Sequence, residues 1–192
     1  ENNFPAEFKT RETADLFLVL IMKLLRYGGK CGIVLPDGFL FGEGLKTRIK
    51  ENLLSSFNLH TIVRLPNGVF NPYTGIRTNL LFFERGKPTK EIWYFEHPLP
   101  ENYKTYGKTK PMRHEEFELA KDWWNNRKDE KFKQYCWKVS IEDIKKRNYN
   151  LDINNPTKPE AERELSKEEI IDRIESNLKR SQEILKEIKG ER

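Results

Sequence analysis

Two short stretches of this 192-residue sequence carry side chains suited to gripping a flat, charged ligand. Pro36 to Gly44 holds Asp37, Phe39, Phe41 and Glu43, and Pro66 to Arg77 holds Phe70, Tyr73 and Arg77. Together they contain five glycines and, after Pro36, two further prolines. Rings on glycine-rich loops beside an arginine suit a nucleobase lying next to a phosphate. Each residue also has a plain structural use. Phe39 and Phe41 can seal the end of a sheet, Pro36-Asp37-Gly38 is a good turn, and Arg77 can pair with a surface charge.

Other chemistries find little support. His60, His97 and His114, with Cys31 and Cys136, have no metal-ligand spacing. There is no Gly-x-Ser-x-Gly elbow. Gly38 to Gly44 lacks the Gly-Lys-Ser/Thr of a phosphate loop, and Gly42-Glu43-Gly44 lacks the third glycine of a dinucleotide fingerprint. The residues present do not add up to a complete catalyst.

The elements that position these loops follow from periodicity. Residues 12–26 repeat Ala14, Phe17, Leu18, Ile21, Leu24 and Leu25 at helical spacing, and Gly28-Gly29 offers a left-handed stop. Residues 30–35 form a short apolar strand, 43–55 a helix and 59–65 a second strand. This βαβ unit sets its two strands parallel, so the loops after them open on one rim, where ligands of open α/β sheets bind. Residues 78–84 make another strand. The twelve residues before it are too few and too rich in Gly and Pro for a crossover helix, so it is predicted antiparallel. Gly86 to Lys90 reads as a hairpin turn that pairs 91–96 with it at the sheet's edge. The fold class is therefore α/β with a mixed sheet.

Beyond Pro100 the chain becomes more polar. Residues 1–100 hold 13 basic and 10 acidic side chains, whereas 101–192 hold 22 and 20. Residues 114–126 read as a helix carrying Phe117, Leu119, Ala120, Trp123 and Trp124, and Ser140 caps a short helix ending near Arg147. Pro156 and Pro159 mark 154–164 as a linker. Ser166-Lys-Glu-Glu169 is a capping box, after which Ile171, Ile174, Leu178, Leu185 and Ile188 form a heptad seam with Ser181 at one position.

Composition narrows the class further. A 36% hydrophobic chain with 12% aromatics can bury a core, which excludes wholesale disorder. The longest apolar run, Leu16 to Leu25, is broken by Lys23, and the first residues lack the basic and apolar regions of a signal peptide. Two cysteines 105 positions apart read as reduced thiols in a cytoplasmic protein. A net charge of +5 permits nucleic acid without a dense basic stripe, which weighs against a standalone nucleic-acid binder.

The stretch from Gly28 to Gly44, Gly-Gly-Lys-Cys-Gly-Ile-Val-Leu-Pro-Asp-Gly-Phe-Leu-Phe-Gly-Glu-Gly, with Leu59 to Phe83, resembles the modification subunit of type I restriction–modification systems. The likeness continues through Lys90 to Tyr94 and, more loosely, Arg147 to Ile153 and the tail helix. Such subunits are N6-adenine DNA methyltransferases that use S-adenosylmethionine. The resemblance implies a partial class I methyltransferase fold, Rossmann-like, with an antiparallel hairpin and a helical C-terminal region. It assigns 1–100 to the second half of the catalytic domain, 101–153 to a helical extension and 154–192 to a linker with the C-terminal amphipathic helix. The cofactor loop and the Asn-Pro-Pro-Phe/Tyr tetrapeptide that holds the adenine amino group are expected upstream of Glu1. Asn71-Pro72-Tyr73 imitates that motif but has one proline and follows the wrong strand. The chain is thus expected to be a carboxyl-terminal part of the subunit, inactive alone.

By the same resemblance, Phe70 or Tyr73 stacks on a flipped-out base and Arg77 contacts phosphate; Asp37, the best single acid in the loops, is expected as a further substrate contact. The seam from Ile171 to Ile188 is expected either to dock the specificity subunit, in a complex that also includes the restriction subunit and DNA, or to fold as an ordinary amphipathic helix onto its own domain. The alternative is a non-catalytic interaction module that docks through its C-terminal helix.

Overall fold

In the computed structural model, which describes Phe8, residues 10–158 and the helix 167–189, α1 (Thr13–Leu24) buries Leu18, Val19 and Met22 against the sheet. It ends where Gly28, at φ +73°, turns the chain into β1 (Lys30–Pro36). The turn is tied down as Gly28 N–H donates to the Arg85 carbonyl and Arg85 N–H to that of Gly29. Next come α2, the single turn Gly38–Phe41, then α3 (Leu45–Ser56) and β2 (Phe57–Arg64), with β3 (Thr78–Arg85) and β4 (Glu91–Glu96) following. A 3-10 turn (His114–Phe117) leads into α4 (Glu118–Asn125); β5 (Cys136–Ser140) and α5 (Ile141–Lys146) complete this part. The last helix is α6 (Lys167–Lys189).

The five strands lie in the order β1-β3-β2-β4-β5. β3 runs antiparallel between β1 and β2, so those two strands share a direction without touching. The predicted α/β class, the mixed sheet and the antiparallel β3 are all present. The predicted pairing of β4 with β3 is not. β4 pairs in parallel with the far side of β2, because β1 and β2 already occupy both edges of β3. The turn at 86–90 does reverse the chain, but it straddles β2. Thr89 makes this possible: its hydroxyl donates to the Phe57 carbonyl, accepts from Leu59 N–H, and its own N–H donates to the Leu54 carbonyl. β5, antiparallel to β4, has no counterpart among the predicted strands. Its five residues alternate Trp137 and Val139 with Lys138 and Ser140, too short a pattern to stand out in a lysine-rich region.

The sheet has a core on each face. One joins α1, α3 and α5 to the strands through Leu18, Leu53, Ile62, Phe83, Tyr94 and Ile144. The other is capped by α4, whose fully buried Trp123 stacks on Phe95 at 4.7 Å between ring centroids. At Gly32 the sheet lies close to a ring: a Cβ there would stand 3.1 Å from Phe82, which would have to give by a few tenths of an ångström.

Contacts divide the chain into two units, Glu1–Thr157 and Lys158–Arg192. The second presents the predicted tail helix, with Ile171, Ile174 and Leu178 exposed along it. Ser166 of the capping box, and the side chains of Leu185 and Ile188, lie outside the described residues. Among the described residues no helix is long and apolar enough to cross a membrane, and Cys31 and Cys136 are free thiols.

Candidate functional site

Strand register puts the two loops on one rim. Pro36 faces Thr78 across the β1–β3 pair, Arg64 faces Asn79 across β2–β3, and Arg64 faces Glu96 across β2–β4. The carboxyl ends of β1, β2 and β4 therefore lie together. The loops meet at their bases, where Asp37 N–H donates to the Arg77 carbonyl at 2.8 Å.

The first loop is held from within. Phe39 and Leu40 are fully buried, so Phe39 does seal the sheet end. Phe41, at 38% exposure, and Glu43 lie at the surface. Beneath the loop, the α3 side chain of Lys50 is buried with its ammonium donating to the carbonyls of Leu40 (2.8 Å) and Gly42 (2.9 Å). Burial lowers this ammonium's pKa from 10.5 to about 8, while the Glu43 carboxylate acts the other way.

Asp37 stands at the middle of the rim. Its Oδ1 accepts from Asn79 Nδ2 at 2.9 Å and from the Arg64 guanidinium at 3.4 Å. Arg64, itself buried, also pairs with the Asp152 carboxylate at 2.6 Å and donates to the Ile153 carbonyl at 3.2 Å. Arg64 Nε, Thr78 Oγ1 and Asn79 Oδ1 are buried with no hydrogen-bond partner among the described residues. Unsatisfied polar atoms are uncommon in folded interiors, and here three gather at one end of one sheet.

The second loop is anchored by its backbone and presents its rings outward. Asn67 accepts at its carbonyl from Tyr106 N–H and from the Thr105 hydroxyl, and Asn71 Nδ2 donates to the Tyr106 carbonyl at 3.0 Å. Gly68, at φ +79°, lies so close that a Cβ would meet the Tyr106 carbonyl and the Thr105 hydroxyl at 2.4 Å. Asn71 thus has a structural duty in the loop. Arg77 Nε donates to Asn67 Oδ1 at 3.3 Å. Phe70 is 40% exposed and Tyr73 92% exposed, at a turn closed by Tyr73 N–H donating to the Phe70 carbonyl.

Asp37, Phe70, Tyr73 and Arg77 are therefore brought to one rim, while Ile171, Ile174 and Leu178 belong to the other unit. Sequence reasoning missed Arg64, Asn79, Asp152 and Lys50. One signal was present: Arg64 sits between Val63 and Leu65 at the end of an apolar strand, where a charge is buried only if paired. Two cavities lie off the rim. One of about 600 Å³ is lined by Arg48, Glu51, Asn52, Thr89, Lys145 and Tyr149. Another of about 440 Å³ is lined by Val63, Leu80, Phe82, Phe117, Lys121 and Trp124.

Residues 1–165 match the N-6 DNA Methylase family. The chain is 60% identical over 165 residues to the type I restriction enzyme EcoEI methylase subunit of Escherichia coli, covering 84% of this chain and 34% of that protein. Its structure is similar to the modification subunit of a putative type I restriction enzyme from Vibrio vulnificus YJ016. There the TM-score is 0.74 and the identity 48%, over 82% of this chain and 35% of that one. A chain from a structure of type I R-M system complex assembly and conformational transition gives a TM-score of 0.77 at 40% identity, over 99% of this chain and 42% of the other. The chain spans about a third of the length of the first curated relative it matches. With its likeness running through both rim loops, the chain belongs to the N-6 DNA Methylase family.

Proposed function

We propose that this chain is the target-facing part of a type I restriction enzyme methylase subunit, a cytoplasmic enzyme that methylates N6 of adenine in DNA. The observation that carries this is the two-loop rim: Asp37 N–H is bonded to the Arg77 carbonyl at its base, and the exposed Phe70 and Tyr73 stand on its second loop. An adenine turned out of the duplex offers a flat face to one of those rings. Stacking of this kind contributes about 1–3 kcal/mol per base. Asp37 then accepts a hydrogen bond from the bound nucleotide, and Arg77 meets a backbone phosphate.

S-adenosylmethionine, when bound, supplies an electrophilic methyl group. This chain spans about a third of the length of the first curated relative, and we place the donor pocket on the remainder of the methylase. The chain alone is accordingly inactive.

The second unit has a different duty. The exposed seam of Ile171, Ile174 and Leu178 supports docking of α6 on the specificity subunit, in an assembly with the restriction subunit and DNA. Docking through α6 without any catalytic role is the second reading, favoured by the same exposed seam. One experiment separates the two. Phe70→Ala with Tyr73→Ala in the full-length methylase should weaken target binding tens-fold and leave subunit assembly intact. Unchanged methylation with that double replacement would leave docking as the only role supported.

A further inference from the structure

The segment Arg147 to Asn155 has no part in the function proposed so far, yet almost every residue of it makes a specific contact. After α5, Asn148 and Tyr149 both take left-handed conformations, φ 52° and 59°. This conformation is unfavourable for a tyrosine, so the path is imposed by the contacts of the neighbouring residues. Tyr149 donates its hydroxyl to Glu51 on α3 at 3.1 Å. Leu151 is fully buried; its N–H donates to the Leu40 carbonyl at 3.0 Å and its carbonyl accepts from the Tyr94 hydroxyl at 3.1 Å. Asn150 Oδ1 accepts from Asp152 N–H at 2.8 Å, and Asn155 Nδ2 donates to the Gln134 carbonyl at 2.8 Å. The segment is a strap that ties α3, the first rim loop, β4 and the turn leading into β5 together.

The strap reaches the rim chemistry through one ion pair. Arg64 accepts no hydrogen bonds and must place its buried charge against carboxylates. It has two, Asp152 at 2.6 Å from the strap and Asp37 at 3.4 Å from the first loop, and it also donates to the strap's Ile153 carbonyl. The shorter contact fixes the guanidinium, which together with the Asn79 amide at 2.9 Å then holds Asp37 Oδ1. All contacts made by the Asp37 carboxylate among the described residues fall on Oδ1, from Arg64 and Asn79. The side chain is 22% exposed, which leaves Oδ2 as the acceptor available to a ligand.

We propose that Arg64 is a positioning residue of the rim, locked by Asp152 of the strap, and that it orients Asp37 toward a hydrogen-bond donor on the target nucleotide. This rests on Asp37 being a substrate contact. The test is steady-state DNA methylation by the full-length methylase in its complex, comparing Asp37→Asn, Asp152→Asn, the double replacement and Arg64→Lys, with thermal unfolding measured on each. Asp37→Asn should raise KM for DNA about tenfold at near-constant kcat, the size of one charge-assisted hydrogen bond. Asp152→Asn should raise it severalfold, and the double should be no worse than Asp37→Asn alone, because both act on one contact. Arg64→Lys, which keeps the charge and loses the fork, should fall between wild type and Asp152→Asn. An unaltered KM in Asp37→Asn would remove Asp37 as a substrate contact and the inference with it. Independent, multiplying effects of the two replacements, or an Asp152→Asn that lowers unfolding temperature alone, would keep Asp37 and overturn the role of Arg64.

Discussion

The two loops of the rim are built in opposite ways. The first turns Phe39 inward and leaves, of its rings, only Phe41 partly exposed: Phe39 and Leu40 are buried, Lys50 holds the carbonyls of Leu40 and Gly42 from below, and the strap holds Leu40 again through Leu151. The second is fastened through Asn67 and Asn71 to Thr105 and Tyr106, and leaves Tyr73 and Ile76 exposed with Phe70 partly covered. An aromatic ring as exposed as Tyr73 contributes little to folding and is open to a ligand. In the proposed function the first loop is the fixed reference surface and the second the contact surface.

The contrast is most easily undone at Phe39. Phe39→Ala should lower stability by about 3–5 kcal/mol in urea unfolding, the usual cost of removing a buried phenylalanine. A loss under about 1 kcal/mol would mean that the first loop is not part of the core.

Lys50 gives the next largest effect and carries a sign. Its folded pKa is about 8 against an ordinary 10.5, so between these values the unfolded chain holds more protons. Stability then rises with pH across that window, and below about 8 the buried ammonium is charged in both states. Relative to Lys50→Met, the wild-type chain should gain roughly 2 kcal/mol from about pH 7.5 to about pH 10. A difference that stayed flat with pH would show that the ammonium is not held in an apolar setting.

Tyr73 probes the same contrast from the other side. Tyr73→Ala should change unfolding free energy by no more than about 0.5 kcal/mol, as for other exposed positions. A larger loss would place Tyr73 in the packing of the loop and remove the distinction between the two surfaces.

Much of this arrangement was legible in the sequence because it depends on local pattern. The helical repeat from Ala14 to Leu25, the apolar strands and the Gly- and Pro-rich loops set α1, β1, β2 and the shared rim without reference to distant residues. The antiparallel sense of β3 followed from the shortness of the loop before it. What escaped depended on partners far apart in the chain. The partner of β4 was decided by β1 occupying the far edge of β3, roughly fifty residues before the turn itself. The partners of Asp37 are Asn79, 42 positions away, and Arg64, which is in turn held by Asp152. No periodicity links these residues. A buried charge in an apolar strand signals that a counter-charge exists, not where it lies in sequence.

Whether Phe70 and Tyr73 grip an adenine turned out of the duplex is decided by a binding experiment. The dissociation constant of the full-length methylase complex would be measured on DNA whose target adenine is unpaired, for wild type and for Phe70→Ala with Tyr73→Ala. A tens-fold weaker constant for the double replacement, with its unfolding midpoint unchanged, is the expected result. Equal affinities for the two proteins would contradict it.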